Sequence, residues 1–150
     1  ELGTCLGITT AYLARAASAA RVISIEGCPE TAGIASGNLE KLGVSNADLR
    51  VGNFDDVLPG VLDSLESLDF VFIDGNHRKQ ATIDYFLQCL PKLHEDSVMI
   101  FDDIYWSKGM KDAWEYIKAH SDVTVTVDLF WIGLVFFRKG RQKEHFRIRY

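Results

Sequence analysis

The sequence has few cysteines, no long apolar run and no block of basic residues. Its three cysteines are an odd number and lack the spacing of a metal site, so we expect free thiols in a reducing compartment. No apolar stretch approaches the roughly 18 residues that span a bilayer, and no signal peptide is expected because Glu1 stands where a basic segment would. The net charge of −5 argues against a nucleic-acid partner. These absences predict a cytoplasmic protein without a membrane or nucleic-acid partner.

Helical and strand-like patterns alternate along the chain. The 150 residues are 47% apolar and 25% charged, which suits one globular domain with a substantial core. Strand-like runs at 22–25, 49–51, 68–73 and 97–101 are separated by helical patterns, and 123–127 with 130–137 form a closing antiparallel pair. The pattern predicts an α/β fold with a Rossmann-like, doubly wound and mainly parallel sheet. In the first helix, over 8–20, Ile8, Tyr12, Ala16 and Ala19 are expected to lie on one face.

The boundaries of the domain follow from the same patterns. We expect one domain over 1–138, followed by an edge strand or a tail over 139–150. Only Glu1 and Leu2 precede a glycine-rich turn that should follow a buried strand, so the first strand is expected to be truncated. Apolar Phe130, Trp131, Phe136 and Phe137 are expected to be buried either in the core or in a homodimer.

The glycine-rich turn, Glu1-Leu2-Gly3-Thr4-Cys5-Leu6-Gly7, points to a cofactor. Glycines before a helix let the backbone approach a ligand, and the acid Glu26 at the end of the next strand can accept hydrogen bonds from ribose hydroxyls. The spacing is Gly-x-x-x-Gly rather than the G-x-G-x-x-G of a dinucleotide site, which disfavours an oxidoreductase. An acid before the turn suits a ligand that carries an ammonium group.

Together with Ile25-Glu26-Gly27-Cys28-Pro29, this turn resembles class I S-adenosylmethionine-dependent methyltransferases, and within them the catechol O-methyltransferase type. The resemblance extends over most of the chain. It implies S-adenosylmethionine as the cofactor, with Glu26 on the ribose and the segment 52–54 on the adenine. The full set of expected cofactor residues is Glu1, Gly3, Thr4, Gly7, Thr9, Glu26, Gly27, Cys28, Gly52, Asn53, Phe54 and Asp74.

Three acids follow two of the predicted strands. Asp74 ends the run 68–73, while Asp102 and Asp103 end the run 97–101. In the family that the chain resembles these strand ends are adjacent, and metal-dependent members carry an Asp and an Asp-Asn pair here. Close carboxylates repel unless a cation lies among them, so we expect Mg²⁺ or another divalent ion on the three acids. The alternative is that the acids cap helices or pair with nearby cations, namely Arg78, Lys79 and Lys108.

His77 lies three residues after Asp74, where metal-dependent relatives have a lysine base. A histidine titrates near neutrality and can take a proton from a substrate hydroxyl, so His77 and Asp74 are the expected catalytic residues. The alternatives for His77 are a helix cap or a metal ligand. Tyr105 and Trp106 either line an aromatic acceptor or pack a loop.

The predicted reaction is methyl transfer from S-adenosylmethionine to a hydroxyl oxygen of a small molecule, with alignment as the main source of rate. The segment Asp74-Gly75-Asn76-His77 lacks the Asp/Asn-Pro-Pro-Tyr/Phe motif of enzymes that methylate nucleobase nitrogens. The alternative left open is a non-catalytic or fragmentary cofactor-binding domain with the same fold.

Overall fold

The computed structural model describes residues 1–149. The chain divides into two compact units, Glu1–Asp63 and Ser64–Tyr150. Each unit has its own strands and helices and is described by itself. Across 1–149 no helix has both the length and the apolar character that a membrane crossing requires. All three cysteines carry free thiols, as predicted, and burial raises the pKa of the Cys89 thiol to about 11.

In the first unit two parallel strands alternate with three helices. The elements in order are α1 (Ile8–Ala16), β1 (Val22–Glu26), α2 (Pro29–Lys41), β2 (Ala47–Val51) and α3 (Phe54–Asp63). Val22 lies opposite Ala47, and this register runs to Glu26 opposite Val51. Leu2 forms a parallel bridge with Ile25, so the residues before the glycine turn run alongside β1.

The face of α1 that carries Ile8 and Tyr12 is not the buried one. The helix buries Thr10, Ala11 and Ala14, whereas Ile8 and Tyr12 are 61% and 75% exposed. Small side chains let this helix pack closely, and the buried hydroxyl of Thr10 has polar partners described below. Apolar size alone therefore does not identify the buried face of this helix.

The second unit is a mixed five-stranded sheet with two helices. Its elements in order are β3 (Leu68–Ile73), α4 (Lys79–Cys89), a 3₁₀ turn (Leu90–Lys92), β4 (Leu93–Phe101), α5 (Lys108–Ala119), β5 (Val125–Asp128), β6 (Gly133–Phe136) and β7 (Glu144–Arg147). The strand order is β3-β4-β6-β5-β7. β3 and β4 are parallel, β6 runs antiparallel to both β4 and β5, and β7 is parallel to β5. The predicted antiparallel pair is thus β5 with β6, and β7 is an edge strand within 139–149.

Aromatic side chains fill the core of the second unit. Phe86, Phe101 and Trp114 are at most 1% exposed, and the rings of Phe101 and Trp114 lie 6.4 Å apart between centroids. Phe137 is buried, whereas Phe130 and Trp131 are 45% and 48% exposed. A homodimer therefore stays a prediction that rests on these two exposed rings.

Gly133 is required where the indole of Trp114 crosses β6. A Cβ at this position would lie 2.6 Å from Cη2 of Trp114 and within 3.0 Å of two further ring atoms. The ring is buried and rigid, so it cannot move aside as the end of a flexible side chain could.

We expect Gly133→Ala to lower the free energy of unfolding by about 1–3 kcal/mol, because overpacking forces the core to shift. Urea denaturation measures the effect. Gly109→Ala in α5 is the matched control, since its Cβ would meet its nearest atom, Lys79 Cβ, at an ordinary 3.5 Å. Equal stability of the two variants would contradict the packing argument.

Candidate functional site

The glycine turn of the first unit depends on left-handed backbone. Gly3 and Gly7 have φ of 107° and 78°, and Cys5 between them has φ of 50°. The N–H groups of Gly3 and Thr4 donate to the carbonyl of Ile25 at 3.0 and 3.3 Å. These bonds fix the turn against the end of β1, and glycine supplies the conformation at little steric cost.

The carboxylate of Glu26 is held by two backbone N–H groups. Its Oε2 accepts from the Cys5 N–H and its Oε1 from the Cys28 N–H, each at 2.9 Å. Cys5 belongs to the glycine turn, and Cys28 precedes α2. A carboxylate has about four acceptor positions, so two stay available for a ligand's donors. The acid is therefore oriented before any ligand binds.

A buried hydroxyl network surrounds Glu1. Glu1 Oε2 accepts from Ser24 Oγ at 2.5 Å and also from Thr10 Oγ1, and Ser24 Oγ lies 2.5 Å from Thr4 Oγ1. Thr10 and Ser24 are fully buried, while Thr9, the residue predicted for the cofactor, is exposed. Sequence reasoning missed Thr10 and Ser24, although a serine inside the apolar run of β1 was a signal for such a network.

The segment after β2 begins with another constrained glycine. Gly52 has φ of 147° and donates its N–H to the Glu26 carbonyl at 2.9 Å. A Cβ added at Gly52 would lie 2.7 Å from Val57 Cγ2. The Asn53 carbonyl accepts from the N–H groups of Asp56 and Val57 at the start of α3. Gly52 is thus fixed beside Glu26, and Phe54 is half-buried at the first position of α3.

In the second unit the ends of β3 and β4 bring a histidine and two acids together. Ile73 pairs with Phe101, and the Asp102 N–H donates to the Ile73 carbonyl at 2.9 Å. His77 Nε2 then lies 3.5 Å from Asp74 Oδ1 and 3.9 Å from Asp103 Oδ2. One predicted alternative was that His77 caps a helix. The N-cap of α4 is Arg78, so His77 is not the cap of this helix.

Asp102 is turned toward its own backbone. Its Oδ1 accepts from the Asp103 N–H at 2.9 Å, while Asp74 and Asp103 face His77. Within residues 1–149 no group of three or more His, Cys, Asp or Glu side chains is arranged to hold a metal ion. The predicted cation therefore stays a prediction. Of the cations considered as alternative partners, Lys79 pairs with Asp112 at 3.5 Å.

Tyr105 is tied to a buried acid that sequence reasoning missed. Its hydroxyl donates to Asp128 Oδ2 at 2.5 Å, and Asp128 is only 4% exposed. Burial alone would raise the pKa of Asp128, but hydrogen bonds from Tyr105, from the Phe130 N–H and from two arginines lower it below its ordinary value. The pKa of Tyr105 is raised, mainly by burial and then by this hydrogen bond and by the charge of Asp128. Trp106 is 67% exposed, so it does not pack in the core.

Left-handed backbone at residues other than glycine occurs only beside these groups within the described 1–149. The residues are Cys5, Asn76, Asp103 and Phe130, with φ from 50° to 77°. Such backbone costs about 1–2 kcal/mol per residue and persists only where the surroundings impose it. Its concentration in the glycine turn, beside His77 and beside Asp128 supports a functional role for these three regions.

The chain belongs to a family of methyltransferase domains. The sequence profile described as "Methyltransferase domain" matches residues 1–104. Two curated relatives are catechol O-methyltransferases. The one from Niastella koreensis is 30% identical over an alignment of 107 residues that covers 69% of this chain and 48% of that protein. The one from Mycobacterium tuberculosis is 30% identical over an alignment of 112 residues that covers 73% of this chain and 49% of that protein. The chain thus spans about half the length of the curated relatives it matches.

Solved structures agree with this assignment. The O-methyltransferase TomG of Streptomyces achromogenes, in complex with SAM, superposes with a TM-score of 0.79 at 25% identity, covering 91% of this chain and 71% of that one. An O-methyltransferase from Bacillus cereus in complex with SAH gives a TM-score of 0.76 at 26% identity, covering 90% and 71%. The fold is therefore the Rossmann-like fold of class I methyltransferases, as predicted.

We expect Thr10→Val to lower the free energy of unfolding by about 1–3 kcal/mol, because it removes a donor from a buried carboxylate network. Thr9→Val is the matched control on the exposed side of the same helix turn and should change stability by no more than about 0.5 kcal/mol. Urea denaturation of both variants measures the difference. A cost for Thr9→Val as large as that for Thr10→Val would contradict the role of the network.

Proposed function

We propose that this protein transfers a methyl group from S-adenosylmethionine to a hydroxyl oxygen of a small molecule. The observation that carries the proposal is the carboxylate of Glu26, fixed by two backbone N–H groups at the end of β1 beside a left-handed glycine turn. The relatives named catechol O-methyltransferase and the solved O-methyltransferases with bound SAM or SAH support it.

The first unit fits the nucleoside part of the cofactor. Glu26 uses two of its acceptor positions on Cys5 and Cys28 and has about two left for the ribose hydroxyls. A Cβ added at Gly27 would have no other atom within 4 Å, so the surface beside Glu26 is open. We assign the ribose to Glu26, Gly27 and Cys28, and the adenine to 52–54. The remaining contacts of the cofactor are proposed for Glu1, Gly3, Thr4, Gly7 and Thr9.

The second unit supplies a proton acceptor. When bound, S-adenosylmethionine supplies a methyl group on a positively charged sulfur. The acceptor oxygen forms a bond to this carbon as the carbon–sulfur bond breaks, and the hydroxyl proton must leave. We propose that His77 takes that proton at Nδ1, which has no hydrogen-bond partner among the described residues, while Asp74 and Asp103 lie beside Nε2–H and orient the ring.

A divalent cation such as Mg²⁺ is a separate part of the proposal. Asp74, Asp102 and Asp103 would supply hard oxygen ligands, and a bound cation would lower the pKa of the acceptor hydroxyl. As arranged, the three acids do not fit a cation, because Asp102 accepts from the Asp103 N–H and the other two face His77. We therefore assign no step to the metal. Methylation measured with Mg²⁺ and with a chelator tests whether one is needed.

We expect Glu26→Ala to weaken binding of S-adenosylhomocysteine by about 10- to 100-fold, since hydrogen bonds to a charged group are each worth roughly 1.5–3 kcal/mol. Isothermal titration calorimetry gives the dissociation constants. Glu30→Ala is the matched control, because Glu30 is a neighbouring exposed acid that accepts from the Cys28 thiol at 3.2 Å. An unchanged affinity of Glu26→Ala would contradict the assigned cofactor site.

We expect His77→Gln to lower kcat by about 10²–10⁴-fold, because glutamine cannot take the proton, while affinity for S-adenosylhomocysteine stays unchanged. Methylation of catechol and related phenols, followed by mass spectrometry, measures the rate. His94→Gln is the matched control, since His94 also pairs with an aspartate, Asp69, at 3.1 Å.

Equal activity of His77→Gln and His94→Gln would overturn the role of His77. Binding of S-adenosylhomocysteine by the wild type without transfer to any acceptor would instead favour the alternative of a non-catalytic cofactor-binding domain.

A further inference from the structure

Asp128 joins three segments of the second unit through one carboxylate. It ends β5, and its Oδ2 accepts from the Tyr105 hydroxyl at 2.5 Å and from Arg147 Nε at 3.0 Å. Its Oδ1 accepts from the Phe130 N–H at 2.9 Å and lies 3.4 Å from Arg149 Nη1. The donors come from the loop after β4, from the β5–β6 turn, from the last residue of β7 and from Arg149, two residues beyond that strand.

Backbone hydrogen bonds reinforce the junction at Asp128, where the loop after β4, the β5–β6 turn and β7 meet. The Ile104 N–H donates to the Trp131 carbonyl at 3.0 Å, and the Ile148 N–H donates to the Asp128 carbonyl at 2.9 Å. Arg147 Nη2 also reaches the Tyr105 hydroxyl at 3.1 Å. The loop that carries Asp103 and Tyr105 is therefore fixed to the β5–β6 turn, and β7 closes the junction.

The junction holds aromatic rings that a purely structural contact would not need. Phe130 has φ of 77°, a left-handed backbone that is unusual for an aromatic residue, yet its ring is 45% exposed. The Phe130 ring lies 6.3 Å from the Tyr105 ring and 4.8 Å from the Trp131 ring between centroids. Arg149 Cζ lies 5.5 Å from the Phe130 centroid. Strain that presents apolar rings to solvent indicates a surface for a ligand.

We propose that Asp128 is a positioning residue for the methyl acceptor, because it holds Tyr105 and Phe130 as one wall against which an aromatic acceptor ring stacks. This inference rests on the proposed function and adds to it an aromatic acceptor and the residues that orient it. Asp128 acts through Tyr105 and Phe130 and does not itself touch the acceptor.

The ionisation of both partners supports this role. The lowered pKa of Asp128 keeps its carboxylate charged, and the raised pKa of Tyr105 keeps its phenol protonated as a donor. A charged acceptor and a neutral donor make a strong hydrogen bond, which suits a group that must hold a ring in one place.

Asp128→Asn removes the charge of the group that accepts this hydrogen bond, and Tyr105→Phe removes its donor. We expect each to raise the dissociation constant and the KM for catechol about tenfold, to change kcat less than about threefold, and to leave the KM for S-adenosylmethionine unchanged. The double variant should be no worse than the more affected single variant, because both changes remove one interaction. Asp96→Asn is the matched control, since Asp96 forms an exposed pair with Arg138 at 3.2 Å.

Calorimetric titration of catechol in the presence of S-adenosylhomocysteine separates this inference from the proposed function, because it needs no turnover. A wild type that binds catechol but transfers no methyl group would refute the function, while the affinities of the variants would still decide the role of Asp128. Additive effects of the two changes, an equal rise in the KM for both substrates, or no catechol binding by the wild type would overturn the inference. Should Asp128→Asn fail to fold, the hydroxyl deletion Tyr105→Phe decides alone.

Discussion

The two hydrogen bonds from backbone N–H groups to Glu26 are the interaction on which the first unit's site depends. They require that Cys5 and Cys28 point their N–H groups at one carboxylate, and the first of these requires the left-handed turn between Gly3 and Gly7. The turn in turn is fixed on Ile25, the residue before Glu26. Strand, turn and acid therefore hold one another, and a cofactor would find the acid already oriented, which reduces the entropic cost of binding.

In the second unit a side chain, rather than backbone N–H groups, lies against the carboxylates. Parallel pairing of β3 with β4 places Asp74 and Asp103 at one edge, and left-handed Asn76 and Asp103 redirect the chain there. Two carboxylates so close to each other favour a positive or hydrogen-bond-donating group between them, and His77 Nε2 occupies that position. The same repulsion between carboxylates is the reason that the sequence predicts a metal ion. In the structure the His77 imidazole lies beside two of the three acids, and the Asp103 N–H donates to the third, Asp102.

The sequence predicted what depends on local pattern and failed where distant partners decide. Alternating runs located the strands, and the Gly-x-x-x-Gly spacing located the left-handed turn beside Glu26, because short-range backbone geometry produces both. The sequence did not reveal the buried face of α1, because Thr10 finds its partners in Ser24 and Glu1, which no helical period shows. The orientation of Asp102 was equally hidden, because it depends on the left-handed φ of its neighbour.

Asp128 is a buried carboxylate whose partners are distant in the sequence, so local pattern does not reveal it. An isolated carboxylate at 4% exposure would be costly, and its partners Tyr105 and Arg147 lie 23 and 19 residues away along the chain. Apolar residues could close the same junction at similar or lower cost in stability. A buried charge bonded to one aromatic side chain and to the strained backbone of another is therefore better explained by the need to fix those rings than by stability. By this argument the carboxylate of Asp128 would orient the proposed acceptor surface as that of Glu26 would orient the ribose in the proposed cofactor site.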